Sequence, residues 1–327
     1  MIYRLLGFIL SIVALCTSSA YAQKVQGYPW QNLAEHARGV TAIVFSPNAK
    51  FLISGSWDKT LKLWAMPKGE IKKPLVGHSE VLSSVAFSPN SKIIASGSAD
   101  KTIKLWGPHN GQQLFTLKGH SGEVTSVAFS KDGSVLAGGG ADRSIKLWSV
   151  ARGKPLVNLI GHTDRVVAVA FSKDGKLFLS AGADGTVRIG DLIKGREKYI
   201  IETPNAMAIH TLSLSKNGET LACGGEDGSV IIWSIKDIKK NKKNATAELL
   251  STIKNHRKAV QALEISPDGK YLASSGGDQI VVIWSIREQE VYARLLEHEG
   301  VITDLAYSPD KRILGTASLD TTIKLML

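Results

Sequence analysis

Cysteine is nearly absent from this chain: Cys16 and Cys223 are the only two in 327 residues. A disulfide framework is therefore excluded, and stability has to come from a hydrophobic core. Proline is scarce, at 10 residues, against 31 glycines and many valines, isoleucines, serines and threonines. That balance favours β structure with tight turns. The apolar stretch from Leu5 to Leu15 falls short of the roughly 20 residues a membrane-spanning helix needs. No cluster of histidine or cysteine has metal-ligand spacing, so no metal or cofactor is expected. The glycine-rich stretch from Ala137 has no following helix or lysine to cradle a phosphate. Acidic residues are the minority, 29 against 40 lysines and arginines, giving a net charge of +11. Such an excess fits either anionic partners or solubility from scattered lysines.

The N-terminus has the form of a secretory leader. Arg4 precedes the apolar run, and Ala20-Tyr21-Ala22 forms a small-x-small cleavage pattern. Residues 1–22 are read as a signal peptide, with Gln23 opening the mature chain. A lipid anchor on Cys16 is disfavoured because the bulky Leu15 precedes it. Cys223 is then the only cysteine left. An exported protein without disulfides points to a bacterial envelope, so a periplasmic or secreted location is expected.

A short stretch recurs along the rest of the sequence. "GSWDKTLKLW" from Gly55 returns as "GSADKTIKLW" from Gly97 and "GGADRSIKLW" from Gly139. Looser copies begin at Ala181, Gly224, Ser275 and Ala317, making seven. A histidine stands 22 residues before the aspartate in six of them: His36, His78, His120, His162, His256 and His298. In the fifth copy Asn205 holds that place before Asp227. Within each unit three alternating runs are joined by turn signals, and a fourth run leads to the next histidine. Four strands in about 42 residues suits one blade of a propeller.

Gly-His, then aspartate, then Leu-Trp or Ile-Trp resembles the WD-repeat β-propeller family over the whole mature chain. The resemblance implies an all-β, seven-bladed propeller of four-stranded antiparallel blades. The last unit stops after its third strand, so the segment 24–35 is expected to complete it. Leu33, three residues before His36, matches Leu75, Leu117, Leu159 and Leu295 of the other fourth strands.

In this family the repeating polar residues form a structural hydrogen-bond network. The matching positions are His36, Ser54, Asp58 and Trp64 in unit one, then His78, Ser96, Asp100 and Trp106. Unit three has His120, Asp142 and Trp148, with Gly138 in the serine place. Unit four has His162, Ser180 and Asp184, with Gly190 in place of tryptophan. Unit five keeps Asp227 and Trp233, with Cys223 for serine. Unit six has His256, Ser274, Asp278 and Trp284; unit seven has His298, Thr316 and Asp320, with Met326 for tryptophan. A Ser-His-Asp hydrolase is disfavoured, since catalysis needs its triad once and this set recurs in nearly every unit. These gaps imply weaker blades, and units four and five are expected to be the softest.

Partners of such propellers often dock where the inner strands begin. Carried over, those places give an apolar arc of Trp57, Val81, Val301 and Leu319 and a polar arc of Arg165, His210, Glu226 and Gln261. Trp57 interrupts the repeat: the next three units have Ala99, Ala141 and Ala183 there. A basic insertion at 235–248, with Lys236, Lys239, Lys240, Lys242 and Lys243, is expected to form an exposed loop able to meet an anionic surface. The functional expectation is a non-catalytic protein–protein interaction scaffold in the cell envelope. The alternatives are a propeller-type hydrolase or lactonase, and a cytoplasmic or nuclear WD-repeat scaffold.

Overall fold

Each unit folds as a four-stranded antiparallel sheet with its strands paired in chain order. In the second unit these are Leu82–Phe87, Ile94–Ser98, Ile103–Trp106 and Gln113–Leu117. The second strand is buried on both faces because neighbouring blades cover it. The fourth strand lies on the rim and exposes most of its residues. In this computed structural model the described residues are 30–172, 174–191, 196–240, 245–296 and 298–326.

Polar turn chemistry sets the hairpins. In the third blade Ser130 Oγ donates to Asp132 Oδ1 at 2.7 Å, and the Val135 N–H donates to Ser130 Oγ at 3.0 Å. Gly133 then supplies the left-handed residue, at φ 73°. Blades one, two and seven make the same turn with Ala49, Ser91 and Lys311 in that conformation.

Seven such sheets form the ring, and the described residues contain only two short helical turns besides, Pro204–Ala206 and Lys236–Lys239. The last blade is composite. Strand Trp30–Leu33 pairs antiparallel with Ile323–Met326, Leu33 opposite Ile323. Leu33, Val40, Leu52 and Trp64 share one buried cluster with Ile313, Ile323 and Leu325, so the first and last blades have a common core. Of the expected closing segment, residues 24–29 lie outside the described residues, as does the leader 1–22.

A belt of hydroxyls ties the inner strands together. Thr41 Oγ1 donates to Leu82 O and Thr303 Oγ1 to Val40 O, each at 2.7 Å. Ser83 to Val124 O and Thr125 to Val166 O extend the belt. Val167, His210 and Gln261 hold the equivalent place in blades four to six, so no such hydroxyl stands there. The belt lapses in the sector that contains blade five, where both the histidine and the serine of the polar set are replaced.

The insertion is less free than its charge implied. Ile235 and Ile238 are 1% and 2% exposed and pack into the core between blades four and five. Lys236 and Lys240 face solvent. Lys242, Lys243 and the side chain of Lys239 lie outside the described residues. The correction is physical: two isoleucines spaced by one helical turn give the segment an apolar anchor that a reading of its lysines overlooks.

Candidate functional site: the channel mouth and the blade-top polar sets

In blade one His36 Nδ1 meets Asp58 Oδ2 and His36 Nε2 meets Ser54 Oγ, both at 2.7 Å. Trp64 Nε1 donates to the same Oγ at 2.9 Å. Blade two repeats this with His78, Asp100, Ser96 and Trp106 at 2.7–2.9 Å. The directions are consistent: indole N–H to hydroxyl, hydroxyl to Nε2, and Nδ1–H to carboxylate. Burial pushes His78, His120, His162 and His298 below the usual imidazole range, against the pull of their aspartates. Burial alone would raise the Asp58 carboxyl, but hydrogen bonds from His36 and Thr60 outweigh it and hold the acid well below the ordinary range. Ser54, Ser96 and Ser180 have 0% exposure, so none offers a nucleophile to solvent.

The set is partial elsewhere. His162 reaches Asp184 and Ser180, both at 2.9 Å. His256 reaches Asp278 at 3.0 Å and Ser274 at 2.8 Å. His298 reaches Asp320 and Thr316, both at 2.7 Å. Trp284 is not brought in: its buried N–H has no partner. Blade three is cut in the middle. His120 holds Asp142 at 3.0 Å, but with Gly138 in the serine place, His120 Nε2 and Trp148 Nε1 are both buried and unpaired.

Two substitutions are repaired by residues the repeat alignment did not flag. In blade five Asn205 sits in the turn Pro204–Ala206 at φ 57° rather than in the histidine slot. Met207 fills the slot instead. Its thioether lies against Gly225, as His162 lies against Gly182 in blade four, and Ser229 Oγ is 3.0 Å from its sulfur. Asp227 keeps the bond from the hydroxyl two residues on, Ser229 Oγ at 2.6 Å, that Asp58 has from Thr60, and Trp233 stays in the core at 4% exposure. In blade four the Phe178 ring occupies the space a side chain at Gly190 would need. These two residues are cross-strand partners, so the missing tryptophan is replaced from the neighbouring strand. A void of about 60 Å³ remains beside Ser180 and His162. Cys223 is fully buried, and burial pushes its thiol far above the ordinary range, which makes it a core residue.

The inner strands of all seven blades enclose a central cavity of about 690 Å³. Seven of the eight candidate partner residues line it: Trp57, Val81, Arg165, His210, Gln261, Val301 and Leu319. Glu226 stands outside the lining, with its carboxylate against His210 Nε2. Trp57 is 43% exposed, on a turn fixed by its own N–H bonding to Gly39 O at 2.9 Å.

Two carboxylates in this cavity were missed from sequence: Glu264 and Asp304. Burial, reinforced by the Asp304 charge, pushes Glu264 up to about 8 despite a hydrogen bond from Ser213. Burial raises Asp304 to about 7, against hydrogen bonds from the Ile43 and Leu305 N–H groups. The signal was present in the repeat. The other six units have Ala, Ser or Thr at the Asp304 position and Ala, Val or Ser at the Glu264 position. Among the described residues no group of three His, Cys, Asp or Glu could hold a metal, and no helix is long and apolar enough to cross a membrane.

A sequence model described as "WD domain, G-beta repeat" matches residues 27–65, 69–107, 111–149, 153–191, 197–234, 247–285 and 289–325. Similar proteins include "Protein HIR1" of Kluyveromyces lactis, 34% identical over 146 residues, covering 37% of this chain and 17% of that protein. "Protein HIR1" of Eremothecium gossypii is 35% identical over 139 residues, covering 35% and 17%. "Protein hir1" of Schizosaccharomyces pombe is 29% identical over 142 residues, covering 36% and 15%. The chain thus spans about one sixth of the relatives' length. These relatives are fungal, and they overturn the expected periplasmic or secreted location in a bacterial envelope. That expectation rested on a leader-like stretch outside the described residues and on the lack of disulfides, neither of which involves the blades. With seven matched repeats over seven four-stranded sheets, this chain belongs to the WD domain, G-beta repeat family.

Proposed function

We propose that this chain is a non-catalytic protein–protein interaction platform that captures its partner at the mouth of the central channel. The observation that carries this reading is Trp57. It is 43% exposed on a rigid turn, it breaks the repeat, and it adjoins Val81, Val301 and Leu319 around one cavity. A half-exposed tryptophan in an apolar surround is the kind of anchor on which interfaces concentrate binding energy. Arg165, His210, Glu226 and Gln261 form the polar rim opposite, suited to orienting the partner. The fungal relatives support the cytoplasmic or nuclear kind of WD-repeat scaffold over the envelope setting. The lysines at Lys236 and Lys240 are a secondary candidate for an acidic partner.

Comparison of immobilised wild type with Trp57→Ala tests the reading. A protein retained by wild type and lost from the variant, at unchanged melting temperature, supports it. Equal retention by both forms rules the arc out.

A further inference from the structure

Blade six departs from the others at its histidine loop. Where blades two to four have Gly-His followed by Ser or Thr, blade six reads Lys254-Asn255-His256-Arg257-Lys258. The loop borders a surface cleft of about 840 Å³ whose walls include Lys254, Arg257, Lys258 and Arg294. Three of these cations are exposed and Arg294 is half-buried. Among the described residues none has a carboxylate within ion-pair distance. The acid on the wall, Asp278, is already engaged by His256 Nδ1 at 3.0 Å and the Arg257 N–H at 3.0 Å. Arg294 is held in place by Asn255, donating to its O at 3.3 Å and to its Oδ1 at 3.4 Å. That orientation leaves the Asn255 side-chain N–H buried and without an acceptor.

We infer that this cleft is a binding site for a phosphoryl group carried on a serine or threonine side chain of a protein partner. Four cations against one occupied carboxylate on the wall, with Asp227 of blade five near enough only to Lys254 to feel its charge, favour a compact dianion, and a guanidinium offers the paired donors that phosphate oxygens accept. The positive charge is also local. The corresponding loop of blade five, Thr203 to Met207, has no charged residue, and blade seven presents Glu299. A polyanion such as nucleic acid, or a membrane surface, needs a track or plane of cations, which these neighbours interrupt. The cleft is open to solvent, as a group arriving on a peptide requires. Gly277, which precedes the blade-six aspartate as Trp57 precedes Asp58, also lines it, so it opens on the same face as the channel mouth. The inference does not rest on the Trp57 reading.

The test is calorimetric titration with a short phosphoserine peptide of otherwise neutral sequence, its unphosphorylated twin, inorganic phosphate, a short DNA duplex and phosphatidylserine vesicles. Wild type and Trp57→Ala are expected to bind the phosphopeptide saturably at one site and to ignore the twin. The double variant Arg257→Ala, Lys258→Ala changes two exposed side chains and is expected to weaken binding at least tenfold at unchanged melting temperature. Lys72→Ala with Lys73→Ala, which removes the same charge from the rim of blade one, is expected to leave it unchanged. No saturable binding by wild type overturns the inference, as does an equal loss in the Lys72, Lys73 variant. Tighter binding of free phosphate, duplex or vesicles through Arg257 and Lys258 overturns the phosphoserine assignment.

Discussion

Asp304 in the last blade accepts a 2.7 Å hydrogen bond from the backbone N–H of Ile43 in the first, 261 residues away in sequence. The ring is therefore joined at its channel wall as well as at its outer strand. In blades two and three the same position holds Ser84 and Ser126, which accept from Val127 and Val169 of the next blade at 3.1 Å. A hydroxyl does that work without charge. A carboxylate does it at the expense of being confined near Glu264.

The confinement gives a pH signature. Asp304 is raised to about 7 and Glu264 to about 8, so the folded protein keeps protons that the unfolded chain has released. Their contribution to stability is complete below about pH 4 and is lost as pH rises through 7 and 8. The lowered histidines and blade-top aspartates act at lower pH and are silent above 7, while Cys223, whose thiol burial holds protonated, adds a smaller fall that begins only near pH 9. Stability by urea unfolding should therefore fall between pH 7 and pH 9, by on the order of 1 kcal/mol. Asp304→Asn with Glu264→Gln, which preserves the Ile43 bond through the amide oxygen, should flatten that slope. A wild type equally stable at both pH values refutes the assignment.

The outer latch makes a separate prediction. Leu33 is 5% exposed and stands opposite Ile323 in a cluster shared by blades one and seven. Leu33→Ala should cost about 2–5 kcal/mol. Deleting residues through Leu33 should in addition leave the Ile323–Met326 edge unpaired and promote self-association, visible by sedimentation. A truncated chain that remains monomeric with an unchanged melting temperature would show that the closing strand is dispensable.

The blades and their closing strand were legible because a repeat multiplies each weak signal sevenfold. His36, Ser54, Asp58 and Trp64 identify one another by recurring together, and the truncated last unit points to the N-terminus for its missing strand. Repetition also hid what lies between the copies. Met207 was passed over because alignment put Asn205 in the histidine column, whereas the chain there turns through a left-handed residue and presents the side chain two places later. Phe178 was passed over because its partner Gly190 is adjacent only across the sheet. Asp304 and Glu264 were readable as breaks in a column of small residues. The pairing of Asp304 with Ile43, though, is a contact between blades, which no period within a blade encodes.

Serine deletions should rank by the number of groups they orphan. Ser54 Oγ serves both His36 Nε2 and Trp64 Nε1, whereas Ser180 Oγ serves His162 Nε2 with no tryptophan beside it. Ser54→Ala should cost about 2–4 kcal/mol and Ser180→Ala about 1–2 kcal/mol, each buried unpaired group being worth roughly 1–3. Urea unfolding of the two variants reads the difference. Equal costs would mean that the indole N–H contributes nothing to the set.

Blade three allows the converse experiment, installing the missing hydroxyl. Gly138 leaves His120 Nε2 and Trp148 Nε1 buried and unpaired, and a Cβ built there would lie 3.3 Å from that histidine nitrogen. The obstacles are the Trp148 ring, whose Cζ3 would be 3.0 Å away, and Ile103, whose Cδ1 would be 2.6 Å away. That atom ends a flexible side chain. Ser54 and Ser180 follow blades with isoleucine in the same column, Ile323 and Ile145, so isoleucine and serine are compatible across this interface. Gly138→Ala carries the steric cost and the gain in chain stiffness without the hydrogen bonds. Gly138→Ser carries all three. The serine variant should therefore exceed the alanine variant in unfolding free energy by about 1–3 kcal/mol, whatever the sign of either against wild type. Measuring the pair cancels the shared cost of moving Ile103. If the two variants unfold at the same urea concentration, the two unpaired groups in blade three are already satisfied by solvent.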